Sequence, residues 1–236
     1  MPQATERGMI PTLNNKGFMS IALDPVSTAF TKYAGETNGW SLDLGCAYGI
    51  ATLAALDRGA HIIACDMEPR HLQVLLSKVH GSAKERVHGL VAKMPQIAFQ
   101  ANSYDAVLCS RALHFLTGND VEATVSAIAD WLKPGGKVFL VVDTPYTGFW
   151  AKGAARYEEK KANGEHWPGF IPDVRIYLSD KAQTKNAARY LNPMDPDILA
   201  RVSVNAGLLV EQAAFSGRPD NSNDRAHAGV IAMKPK

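Results

Sequence analysis

At 236 residues the chain is long enough for one α/β domain with a sizeable core. Its 25 basic and 23 acidic residues are spread along the sequence, so no Lys/Arg run marks a nucleic-acid surface. A composition of 46% hydrophobic and 20% charged residues excludes a disordered or fibrous chain.

The first 16 residues are polar and broken by Pro2 and Pro11, and are expected to be loosely packed. They hold no apolar core of a secretion signal, and no stretch approaches the roughly 18 apolar residues of a membrane span, so the expectation is a cytoplasmic protein. From Asp24 the pattern becomes helical: Asp24 can cap, Pro25 fits the first position, and Val26, Ala29, Phe30 and Tyr33 recur at helical spacing up to Gly35.

Residues 40–66 are the organising stretch. A short apolar strand (42–44) leads into a turn with Gly45 and Gly49, then a helix (51–57) and a second strand (61–65) ending at Asp66, the order of a βαβ half-unit. Gly45 permits a sharp turn and a close ligand, Gly49 a close helix, and Asp66 stands where an acid accepts from a ribose diol. The dinucleotide fingerprint G-x-G-x-x-G is not met, because the two glycines are four apart. Asp43, just ahead of the turn, suits a ligand with a positive end. Cys46, Cys65 and Cys109 have no C-x-x-C spacing and read as buried free thiols, with no disulfide or metal role.

A helix opens at Glu68-Pro69 with Leu72, Leu75, Leu76 and Val79 as its apolar stripe, followed by a strand over 86–91. The run 103–116 holds a buried strand opened by Tyr104-Asp105 and stopped at Ser110-Arg111, then Leu113-His114. A helix over 120–132 ends at Lys133-Pro134-Gly135-Gly136, where proline and glycines turn the chain into a β-branched strand over 137–142. Residues 144–192 leave this alternation and are rich in aromatics: Trp150, Tyr157, Trp167, Phe170 and Tyr177 could wall a pocket or cap a small core of their own. A helix over 197–205 and two strands, 208–215 and 228–233, complete the chain.

Three features in order, over about residues 40–143, carry a resemblance: Asp43-x-Gly45-x-Ala47-x-Gly49 against D-x-G-x-G-x-G, Tyr104-Asp105-x-Val107 followed by Leu113-His114, and Leu132-Lys133-Pro134-Gly135-Gly136 before a strand. The chain resembles the class I S-adenosylmethionine-dependent methyltransferases. That resemblance implies a Rossmann-like α/β fold: a seven-stranded mixed sheet, last strand antiparallel, with helices on both faces. It implies one domain over 1–236, with 144–192 inserted after the fifth strand as a substrate lid. The cofactor would be S-adenosyl-L-methionine, leaving as S-adenosyl-L-homocysteine, in contact with Asp43, Gly45, Cys46, Ala47, Gly49, Asp66, Met67, Leu90, Val91, Ser110 and Arg111. Where the family commonly has an acid for the adenine amine this chain has Leu90, so backbone carbonyls near Leu90 or Val91 would replace it. Lys16 and Phe18 are further candidates to reach the cofactor's amino acid end.

The chemistry so implied is in-line displacement of the methyl group onto a small organic acceptor at oxygen or nitrogen, with carbon also open. It needs no obligatory catalytic side chain. A hydroxyl acceptor would want a base, and among His114, Tyr146 and His166 the position beside the methyl group favours His114. The competing readings are a protein or RNA methyltransferase and a non-catalytic cofactor-binding module. No metal, nucleic acid or membrane partner is expected, and the oligomeric state is open.

Overall fold

In a computed structural model, which describes residues 2–5, 8–15, 17–178, 188–217 and 223–236, the chain forms a central sheet between two helical layers. Its strands are β3 (Trp40–Leu44), β4 (His61–Asp66), β5 (Val87–Val91), β6 (Tyr104–Ser110), β7 (Leu132–Asp143), β8 (Leu209–Ser216) and β9 (His227–Met233). They lie in the order β5-β4-β3-β6-β7-β9-β8. β9 runs antiparallel to both neighbours, and the other ladders are parallel. The strand order reverses between β3 and β6, which opens a crevice at their carboxyl ends.

Helix boundaries follow from side-chain caps. In α1 (Pro25–Gly35) the Asp24 carboxylate accepts from the backbone of Val26 and Ser27, with Pro25 at the first position. Glu68 caps α3 (Pro69–Ser77), Thr117 caps α4 (Gly118–Trp131) and Asp195 caps α6 (Pro196–Asn205). The short α2 (Ile50–Leu56) starts at Gly49, whose φ of +73° is a left-handed conformation; a Cβ there would meet Leu75 Cδ1 at 2.2 Å, so the glycine sets how closely α2 approaches α3.

Alternation along the buried strands divides the core. Ala106 and Leu108 of β6, with Phe139 and Val141 of β7, face Phe30, Ala34, Ala55, Leu72 and Leu75 from α1, α2 and α3. Val107, Cys109, Val138 and Leu140 face Val121, Val125, Ile128, Leu199 and Val202 from α4 and α6. Phe30 meets Phe139 edge-on with ring centroids 5.7 Å apart, and truncating such a buried ring costs about 3–5 kcal/mol.

Two expectations are corrected, and a third reading that stood open between two alternatives is decided. The residues before Lys16 do not lie loose: β1 (Met9–Pro11) pairs antiparallel with β2 (Phe18–Ser20), and Ile10 is buried. Lys16 itself is outside the described residues. β7 begins at Leu132, before the glycines; the turn at Pro134–Gly136 is a bulge, where the register against β6 shifts between Tyr104 and Ala106 and regular pairing resumes at Lys137. The aromatics of 144–192 pack on the segment and its base. Tyr157 of α5 (Ala154–Ala162) is buried beside Tyr146, the Trp150 indole donates to the Thr144 carbonyl at 2.9 Å, and Trp167 packs against Gly118.

Candidate active site

A cleft of about 360 Å³ lies over the carboxyl ends of β3, β4 and β6, with His227 at the start of β9 also lining it, within the range of small-molecule sites. Its floor at one end is the β3–α2 turn. Gly45 (φ +74°) and Cys46 both donate to the Cys65 carbonyl, at 2.8 and 2.9 Å, which folds the turn back over β4. Ala47, where the family motif has its middle glycine, adopts φ +46°, and its N–H donates to Asp66 Oδ2 at 2.8 Å. A non-glycine residue in this conformation costs about 1–2 kcal/mol, so the substitution strains the turn as well as narrowing the approach. Arg111, across the cleft at the end of β6, is also left-handed (φ +56°) and is pinned by an N–H···O bond of 2.7 Å to Val141.

Two carboxylates share this end. Asp43 is fully buried and accepts from Thr52 Oγ1 at 2.6 Å; burial foremost, with the Asp66 charge adding to it, pushes its carboxyl up to about 6. Asp66 lines the cleft and accepts three hydrogen bonds, from the backbone of Ala47 and Glu68 and from His71 Nδ1 at 3.0 Å. Because the Leu13 N–H donates to His71 Nε2 at 2.9 Å, the His71 proton sits on Nδ1 and points at Asp66. The β1–β2 hairpin is thereby bonded to the acid on the cleft floor. Thr12, Asn14 and residues 17–20 form the cleft's outer wall.

The opposite end is built from β6, β7 and β9. Asp143 Oδ1 receives Arg111 Nε at 2.9 Å and lies 3.1 Å from His227 Nδ1. Burial alone would raise the Asp143 carboxyl, but Arg111, His114 and His227 together hold it well below the usual carboxylate range. The hydroxyls of Ser27 and Ser110 lie 3.2 Å apart between the two ends. Tyr190 is the one residue of 144–192 that reaches the cleft among those described.

A family model described as "Methyltransferase domain" matches residues 42–136, which run from within β3 to the bulge in β7. Among curated proteins, the ubiquinone biosynthesis O-methyltransferase of Idiomarina loihiensis is 25% identical over 177 residues, 72% of each chain. That of Xylella fastidiosa is 32% identical over 122 residues, 50% of this chain and 48% of the relative. The chain thus spans about half the length of the latter relative. Among solved structures, a methyltransferase from Methanosarcina mazei superposes with a TM-score of 0.67 at 14% identity, covering 90% of this chain and 98% of that one. The 1,6-didemethyltoxoflavin-N1-methyltransferase of Burkholderia thailandensis, with its substrate and S-adenosylhomocysteine bound, superposes at 0.61 and 17% identity, covering 90% and 77%. Residues 42–136 of this chain are thus a methyltransferase domain, in a fold shared with S-adenosylmethionine-dependent methyltransferases.

The cofactor of this methyltransferase is S-adenosylmethionine, and the cleft fits it on electrostatic grounds. Two buried carboxylates, Asp43 and Asp66, line one part of a largely apolar crevice, and their negative charge there suits an ammonium or sulfonium group. Of the residues expected at the cofactor, Asp43, Gly45, Cys46, Ala47, Asp66, Met67, Ser110 and Arg111 line the cleft, and so does Phe18. Gly49, Leu90, Val91 and His114 do not. Gly49 serves helix packing instead. Leu90 and Val91 sit at the outer edge of the sheet, 39% and 57% exposed; β5 stops where Val91 pairs with Asp66, and the wall begins one residue later, at Ala92, continuing through Met94 and Ile97.

The three candidate bases are also placed elsewhere. His114 lies behind the wall, 3% exposed; its Nδ1 accepts the Asp143 N–H at 3.2 Å, and burial drives its pKa down to about 4. Tyr146 bonds Glu158, and His166 bonds Glu122 at 2.7 Å on an outer surface. Sequence reading passed over His71, Asp143, His227 and Tyr190. Asp143 alone left a local signal, an acid closing a buried strand, the same sign that marked Asp66.

Among the described residues, no helix is long and apolar enough to cross a membrane, and no group of three or more His, Cys, Asp or Glu side chains could hold a metal ion.

Proposed function

We propose that this methyltransferase transfers the methyl group of S-adenosylmethionine to an oxygen of a small organic acceptor. The observation that carries the reading is a single cleft lined by the acids Asp43 and Asp66 and also by Arg111 and His227, the last two bonded to Asp143 behind them. The first pair is suited to a cationic nucleoside and the second to an acceptor lying in line with it. When bound, the cofactor supplies an activated methyl group, so the chain's own work is placement and the exclusion of water. Asp66, fixed by three donors, is oriented toward the sugar; Asp43 answers the positive end; Ala92 to Ile97 pack the base. The β1–β2 hairpin closes the cleft from outside, and residues 144–192 contribute Tyr190 to the acceptor end.

The names of the Idiomarina and Xylella relatives support oxygen as the methylated atom. The enclosed cleft and the spread of charge along the chain favour a small acceptor over a protein or RNA. The test is methyl transfer from labelled cofactor to a panel of phenols, catechols and amines, followed by mass spectrometry. Label on oxygen of at least one phenolic acceptor is expected. Transfer to amines alone, or to none of the panel, would reject the reading.

A further inference from the structure

We propose that His227 is the general base of this methyl transfer, oriented by Asp143, and that the acceptor is a hydroxyl compound that must lose a proton; this deepens the function proposed above and rests on it. His227 opens β9 opposite Asp143 in the β7–β9 ladder, so two adjacent strands fix both side chains. With Asp143 held ionised by Arg111, the His227 proton nearest it must sit on Nδ1, 3.1 Å from Oδ1. The free electron pair is then on Nε2, and among the described residues that nitrogen has no hydrogen-bond partner. His227 is 8% exposed, and its ring lines the acceptor end of the cleft.

The charged and titratable groups that face it are Asp143 from β7 and Arg111 and His114 from the segment after β6; its register partner in β8, Ser216, is neutral. The arrangement is a carboxylate–imidazole pair aimed at a cavity, and it repeats on β7 and β9 the orientation that a base needs from a second group. His114 contacts the same carboxylate from the far side, with Nε2 3.9 Å from Oδ2, and serves as a support for it.

The step balances as follows. The acceptor hydroxyl proton moves to His227 Nε2, an oxygen lone pair forms the bond to the methyl carbon, and the pair from the broken carbon–sulfur bond stays on sulfur, neutralising it. Proton uptake and methyl transfer together leave an imidazolium opposite Asp143, which the carboxylate stabilises.

The test compares H227Q with the unmodified enzyme on two phenols, one un-ionised at the assay pH and one nitrophenol already ionised there. With the first, H227Q should lower kcat by at least about 100-fold. With the second the loss should shrink to a few-fold, because no proton need be removed. Affinity for S-adenosylhomocysteine, measured by calorimetry, should be the same in both proteins, showing that the cleft is folded. Equal losses on both phenols would overturn the role of His227 while leaving the methyl transfer intact. If the unmodified enzyme methylates neither phenol while still binding S-adenosylhomocysteine, the proposed reaction and this base fall together.

Discussion

The two ends of the cleft are built in opposite ways. The proposed cofactor end comes from one contiguous stretch: Asp43, Gly45, Ala47 and Asp66 all lie within residues 40–66, on adjacent strands and the turn between them. The proposed acceptor end gathers Arg111, Tyr190 and His227, with Asp143 bonded behind Arg111 and His227, from segments separated by tens of residues. A site made from neighbours in sequence can be read as a motif, because turn geometry ties residue type to spacing. A site assembled by sheet register has no such signature. His227 stands opposite Asp143 only because β9 returns antiparallel to β7.

The largest effect that would sharpen this contrast is expected at Asp66. Asp66→Ala should weaken S-adenosylhomocysteine binding by about 10- to 100-fold, equivalent to roughly 1–3 kcal/mol of charge-assisted hydrogen bonding. Calorimetry on the folded variant checks it, and an unchanged affinity would remove Asp66 from the sugar's site.

Next comes pH. A cofactor with a positive end needs Asp43 ionised, and its carboxyl titrates at about 6. Affinity should therefore rise through that pH and be about tenfold weaker at pH 5 than at pH 7.5, the fraction ionised setting the apparent constant. Stability runs the other way. A carboxyl whose folded pKa is raised stabilises the fold below its unfolded value, near 3.8, and loses that contribution as the pH climbs through about 6. Asp43→Asn should accordingly flatten the pH dependence of binding and raise Tm at pH 7.5, and a lower Tm there would show that the charge is not a burden on the fold.

A smaller effect belongs to the acceptor end. Tyr190→Ala should raise the acceptor KM several-fold with cofactor affinity unaltered, since Tyr190 alone among the described residues of its segment lines the cleft. A matching fall in cofactor affinity would mean that the two ends are not separable. Smallest is Ala47→Gly: relief of the left-handed strain should raise Tm by about 2–4 °C, measured by calorimetric scanning.

Most of the fold was legible because the buried strands are continuous apolar runs and the helices carry their caps and breakers: Asp24-Pro25, Glu68-Pro69 and Asp195-Pro196 each mark a helix start that the structure reproduces. The strand 132–136 was missed because proline and two glycines signal a turn, and a bulge satisfies the same signal without leaving the sheet. The hairpin of residues 9–20 was missed because its two short strands are held by contacts with Tyr48, His71 and Arg70, which no local pattern encodes. His114 was chosen by its place after β6. What placed it behind the wall is the short helical turn at Leu113–Phe115, which rotates the ring onto the backbone of Asp143.

The imidazole of His71 has one further consequence. It can accept from Leu13 and donate to Asp66 together only while it carries a single proton. Beside it, Tyr48 Oη donates to the Pro11 carbonyl and Arg70 Nη2 to that of Leu13, each at 2.7 Å, so the flap over the crevice is tied down at three points. The His71 tie is the one that ends on Asp66, which makes flap and carboxylate a single bonded unit.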